Sequence, residues 1–221
     1  MFKHKHHKVT RPFVEMLDTE TGHYYKTKSG DIYPSITTML HSFPNPGIDV
    51  WKARTPTWKK ISESSMKVGT ALHKLIEDYL GNKELTNYDP KDFEKDPYEL
   101  FNVAKPELDK LDNIHALEMK LYSDELKLAG TVDCVAEIDG VPHIIDFKNS
   151  RKPKYPKYVK DSGYYLQGCA YSQMWHECIG DQIDDMAIFV VSWDNKVRVF
   201  KEKVNNHVNE LWDTLIKYEL L

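Results

Sequence analysis

Cysteine is scarce in this chain. Cys134, Cys169 and Cys178 are the only three, an odd number with no C-x-x-C pair, which excludes a disulfide framework and a cluster of thiolate metal ligands. Long apolar runs are missing too. No stretch approaches the roughly 20 apolar residues that span a bilayer, and the opening MFKHKHHKVT lacks the apolar centre of a signal peptide. The chain therefore reads as a soluble, cytoplasmic protein with no membrane partner. Excess charge of either sign is absent: the formal net charge is −4, so polyanion binding would have to come from a local patch. There is no phosphate-cradling P-loop, no G-x-G-x-x-G and no nucleophile-elbow serine, which removes nucleotide-cradling and serine-hydrolase chemistry.

What is present suits one large α/β domain: 221 residues, 41% hydrophobic and 12% aromatic. A tail and short strands are expected over residues 1–32, with His4, His6 and His7 in a solvated tract, and a single domain over 33–221. Ser35 is placed to cap a short helix, ITTMLHSF, that stops at Pro44. Asn45 to Gly47 reads as a turn. Val68, Leu72, Leu75, Ile76, Tyr79 and Leu80 recur at helical spacing until Gly81. Tyr98 to Leu111 reads as helical, with Pro106 opening a possible second helix. Strands follow over His115 to Tyr122, Glu125 to Ile138 and Val141 to Phe147, then a helix from about Ser162 to Cys178, a hairpin around Asp194-Asn195, and an amphipathic helix from Val208 to Leu220.

Asp139-Gly140 between alternating strands is a strong two-residue hairpin signal. In that register Asp133 stands across from Asp146, and Thr131 across from Lys148. One face then carries Val132, Cys134, Ala136 and Ile138 against Val141, His143, Ile145 and Phe147, an apolar surface for the core, and the opposite face carries the acids and the lysine. Opposed like charges destabilise a hairpin unless something compensates them, and a hard divalent cation, Mg2+ or Mn2+, suits oxygen ligands at that spacing. Taking Ser123-Asp124 as the preceding turn puts Glu118 opposite Ala129, with its carboxylate on the face of Asp133. The plainer alternative is an ordinary sheet with acids on its wet side. Two carboxylates with a lysine two positions on fit metal-assisted phosphodiester hydrolysis, in which Lys148 orients water or stabilises developing charge.

Four stretches resemble the RecB-like branch of the PD-(D/E)xK nuclease superfamily in order and spacing: GTALH at Gly69 to His73, GTVD at Gly130 to Asp133, DFK at Asp146 to Lys148 and QGCAY at Gln167 to Tyr171. Pro34 to Leu40, PSITTML, further resembles the mitochondrial genome maintenance exonuclease type and related phage exonucleases. The resemblance spans about residues 33 to 175. It implies a restriction-endonuclease-like core, a central mixed β-sheet flanked by helices, with Asp133 and Asp146 as metal-binding carboxylates, the Phe147 carbonyl and His73 as further ligands, and Lys148 as the catalytic lysine. Gln167 and Tyr171, at i and i+4 on one helix face, would reach the scissile phosphate or the lysine. Some relatives hold an iron–sulfur cluster on four cysteines; this chain has too few.

After Lys148 the chain runs NSRKPKYPKYVK. Arg151, Lys152, Lys154 and Lys157 interleave with Tyr155 and Tyr158, and Pro153 and Pro156 favour an extended, irregular course. Cations for phosphates beside rings for bases suit single-stranded nucleic acid; the plainer reading is a solvated linker. Three functions follow: a metal-dependent exonuclease acting on single-stranded DNA or free ends in replication, recombination or repair; a structure-specific or nicking endonuclease with the same site; and a non-catalytic single-strand-binding module. With no Arg- and Ser-rich presequence, a bacterial or phage-infected cell is the expected setting.

Overall fold

The structure, a computed structural model, describes residues 1–8 and 15–219. Its centre is a five-stranded mixed sheet in the order β4-β5-β6-β7-β8, formed by β4 (Leu111–Ser123), β5 (Leu128–Ile138), β6 (Val141–Ser150), β7 (Asp185–Ser192) and β8 (Lys196–Lys203). Only β6 and β7 in this sheet run parallel, because their connection is long enough to hold α5 (Pro156–Asp161) and α6 (Tyr164–Ile179). The expected α/β architecture is the one the chain forms.

Helices cover both faces of the sheet. On one, α3 (Trp58–Leu80) and α4 (Pro97–Leu108) set Leu72, Leu75, Ile76, Leu100 and Leu108 against Ile145, Phe147 and Phe189. On the other, α6 and the terminal α7 (Val208–Glu219) bury Met174, Trp175, Leu211 and Leu215 against Val135, Ile144, Ile188 and Val190. The one-sided core expected from the hairpin is therefore corrected. The face that carries Asp146 is roofed by α6, and Asp146 lies buried under it.

The expected inward alternation also slips. Val132 packs with Val135 on the α6 side, whereas Cys134 packs on the α3 side. Along β4, Leu117 and Met119 divide between the two cores in the same way. Both strands reverse face at the step between Glu118 and Asp133, where Glu118 takes a left-handed φ of 46°. Such a conformation is costly for a residue with a side chain and is kept where surrounding structure imposes it.

A smaller antiparallel sheet of β1 (Glu15–Thr19), β2 (Gly22–Lys26) and β3 (Ile32–Pro34) docks beside β5. The Tyr25 hydroxyl meets Thr131 Oγ1 at 3.1 Å, and Tyr33 donates to Asp124 at 2.9 Å. The expected domain boundary after residue 32 falls inside β3. Ser35 caps α1 (Ile36–Ser42) by accepting the Thr38 N–H at 2.9 Å. Asn45 to Gly47, expected as a turn, instead opens α2 (Pro46–Arg54), since Asn45 accepts the Ile48 N–H and Pro46 needs no donor partner at a first helical position.

Two helices differ from expectation. The helix expected from Met66 begins at Trp58, just past Pro56, and Pro106 sits in the last turn of α4 instead of opening a second helix. The first residues are docked and not simply solvated. Lys5 N–H donates to the Ile114 carbonyl at 2.8 Å and Ile114 N–H to that of Lys3 at 2.7 Å, while the His7 ring packs against His115 and Trp175. The tract at residues 9–14 and the helix end at Leu220 lie outside the described residues.

Candidate metal centre and nucleic-acid interface

The Asp139-Gly140 turn sets the expected register, with Ile138 paired to Val141 and the ladder running to Cys134 and Ile145. Asp139 and Gly140 both take positive φ, 54° and 78°, as a turn matched to the strand twist requires. Past Cys134 the ladder stops and a side chain intervenes: Asp133 Oδ2 accepts the Phe147 N–H at 2.8 Å. The two strands part there, and the acids line the opening.

The preceding turn corrects the position of Glu118. Ser123 pairs with Leu128, so the turn is residues 124–127, and Leu117 and Met119 pair with Cys134 and Val132. Glu118 thus stands opposite Asp133 and not Ala129. A shift by an even number of residues preserved the expected face and brought the carboxylate closer than the sequence implied.

His73 reaches this point from α3, with Nδ1 3.7 Å from Asp133 Oδ2. Ligand atoms of His73, Glu118 and Asp133 all lie within 4.8 Å of one another, and His73 and Glu118 line a cleft of about 380 Å3 together with Gly69, Thr70, Lys74 and Glu77. Glu118 is exposed to this cleft. Desolvation by the surrounding protein, then the charge of Asp133, pushes its pKa up to about 7. Uncompensated negative charge is what a cation would relieve.

Asp146 is the buried member. Burial, with the charge of Asp133 adding to it, raises its pKa to about 6 against the opposing pull of Lys148. Lys148 Nζ lies 2.8 Å from Oδ1 and 2.7 Å from Oδ2, yet only the first contact has hydrogen-bond geometry, so Oδ2 keeps an unused acceptor. Burial alone would lower the Lys148 pKa; Asp146 and Asp133 outweigh it and raise it. His73, Glu118 and Asp133 together offer three ligand atoms that suit a hard divalent cation, and Asp146, outside that cluster, keeps a spare buried oxygen.

The remaining expected residues divide. Gln167 and Tyr171 are buried in α6, with Gln167 Nε2 donating to the Tyr171 hydroxyl at 3.3 Å. Burial, eased by that hydrogen bond, holds the phenol well above its usual pKa. Arg151 is occupied: it pairs with Glu94 through both Nη atoms, donates from Nε to Ser65 Oγ at 2.8 Å and stacks 4.0 Å over Trp193. Lys152, Tyr155, Lys157 and Tyr158 are exposed and Lys154 is half-buried. The extended course expected around Pro156 is corrected, because that proline begins α5, whose Val159 is fully buried in the core.

Sequence reasoning missed Tyr164, whose ring lies 5.1 Å beneath Lys148 Nζ, and His41, whose pKa is lowered by burial and by Lys148. The helical spacing that linked Gln167 to Tyr171 extends one step back to Tyr164 and could have found it.

No family model matches the chain. It is 25% identical over 134 residues to mitochondrial genome maintenance exonuclease 1 of Homo sapiens, a match covering 56% of this chain and 38% of that protein. The chain thus spans well under half the length of this relative. A crystal structure of a candidate exonuclease from Eubacterium rectale aligns at a TM-score of 0.48 with 15% identity, over 71% of this chain and 64% of that one. The sequence similarity is to an exonuclease.

Proposed function

We propose that this chain is a metal-dependent nuclease that hydrolyses DNA phosphodiester bonds, acting as an exonuclease on single strands or frayed ends. The observation that carries the reading is the meeting of His73, Glu118 and Asp133 from three elements where β5 and β6 part, with Asp146 and Lys148 beside them. Similarity to an exonuclease supports it.

His73, Glu118, Asp133, Asp146 and the Phe147 carbonyl would hold the cation, Mg2+ or Mn2+. Such an ion supplies Lewis-acid polarisation of the phosphate and neutralises charge in the transition state. Lys148 carries a fixed positive charge into the site, held by Asp146 and backed by Tyr164, and can orient water or stabilise charge on the phosphate. Gln167 and Tyr171, buried on α6 and hydrogen-bonded to each other, would in this reading act on the lysine or the scissile phosphate.

End-labelled single-stranded, duplex and closed circular DNA separate the readings. The expected result is Mg2+-dependent loss of linear single strands, stopped by EDTA and abolished in Lys148→Ala. Cutting of closed circles would make the enzyme an endonuclease. Undiminished cleavage by Lys148→Ala would refute the assigned chemistry.

A further inference from the structure

The connection that leaves Lys148 is fastened at several points. Ser150 Oγ donates to the Lys152 carbonyl at 2.7 Å, Arg198 Nη1 donates to that of Lys154 at 2.9 Å, and Val159 is anchored in the core. Between these ties Tyr155 stays 55% exposed. Arg198 also lies 4.8 Å over the Tyr155 ring. One guanidinium therefore holds both the backbone before the tyrosine and one face of its ring.

Register fixes where this happens. Lys148 pairs with Val190 on β7, and Val190 pairs with Arg198 on β8. Arg198 and Lys148 thus occupy one row of the sheet and share a face, two strand spacings or roughly 10 Å apart at the backbone.

We infer that Arg198 is a positioning residue that presents Tyr155 as a stacking platform for an unpaired base of single-stranded DNA beside Lys148. The inference rests on the nuclease reading. A ring already fixed loses little freedom when a base stacks on it, and a cation on one face leaves the other for the base. Bases stacked within a duplex cannot use such a platform, so it favours unpaired strands. Arg198 is a poorer choice as a phosphate ligand because Nη1 already donates to the Lys154 carbonyl and its plane lies over the Tyr155 ring.

The test uses Lys148→Ala protein with Mg2+, so that strands bind uncut, and reads anisotropy of a labelled oligothymidine together with fluorescence of a 2-aminopurine oligonucleotide. Arg198→Leu and Tyr155→Leu should each weaken single-strand binding about ten-fold and relieve 2-aminopurine quenching. The double variant should be no weaker than either single one, and the salt dependence of Arg198→Leu should be unchanged. A salt slope reduced by about 0.7 with additive losses would make Arg198 a phosphate contact and overturn the inference. Wild-type affinity in Tyr155→Leu, an exposed site whose loss spares the core, would overturn it as well. Both outcomes leave the nuclease reading standing if the protein with Lys148 restored still degrades single strands. Absence of single-strand binding and of cleavage in that protein would overturn both.

Discussion

Gly130 stands at the start of GTVD, and the reason for a glycine there can be tested by adding one methyl group. Its φ is not in the left-handed region; the constraint is space. A Cβ on Gly130 would lie 2.7 Å from Tyr171 Cε1, 3.0 Å from its hydroxyl and 3.3 Å from Cζ, where carbon atoms ordinarily rest about 3.5 to 4.0 Å apart. Tyr171 is 3% exposed and belongs to the packed core on the α6 side of the sheet. Overpacking of this kind costs about 1–3 kcal/mol, while losing a glycine's freedom in the unfolded chain returns about 0.4–1 kcal/mol. Gly130→Ala should therefore lose about 1–2 kcal/mol, a fall in Tm of roughly 2–8 °C for a chain of this size. Urea and thermal denaturation measure it. Tyr171→Leu removes the ring, so adding Gly130→Ala to it should cost little, and the double-mutant cycle should show a coupling above about 0.5 kcal/mol. Additive losses, or a Gly130→Ala protein as stable as the parent, would refute the close-approach argument.

Three further outcomes follow from the same geometry. With the Glu118 pKa up to about 7, its carboxyl binds a proton below that pH which a cation must displace. Mn2+ affinity should rise as pH increases through 7 and level off above it, and calorimetry in buffers of different ionisation enthalpy should detect proton release; a buffer-independent enthalpy would contradict the site. Arg151→Gln breaks the pair with Glu94 and the stack on Trp193, so it should lower stability by about 1 kcal/mol in thermal melts while changing single-strand affinity less than Tyr155→Leu does. Ser35→Ala removes the α1 cap and should cost about 1 kcal/mol, which Ser35→Asp should largely restore.

The hairpin at Asp139-Gly140 was legible because a two-residue turn leaves one register, and the pairing from Ile138 to Cys134 follows it. The turn before it was not. Leu126 looks like one more alternating strand residue, but it is a buried plug in a longer turn, held by its N–H to Ser123 Oγ at 2.8 Å. Glu118 kept its face only because the register error was even. Burial of Asp146 escaped a reading that treats a sheet as one wet and one dry face, since the helix that roofs it comes from residues 164–179. The same blindness to distant partners hid the engagement of Arg151, whose acid Glu94 is far away in sequence. Local chemistry was readable; what each charge meets across the fold was not.

The docked segment at residues 3–5 has a practical bearing. The outer edge of β4 would otherwise offer the Ile114 N–H and carbonyl to any passing extended chain, and Lys3 and Lys5 occupy both groups. An uncovered edge of this kind recruits further strands and promotes self-association. Trimming these residues, or fusing a purification tag that draws them off, should be avoided when the protein is prepared for biochemistry. Light scattering of the trimmed protein would reveal the oligomers that the short segment keeps apart.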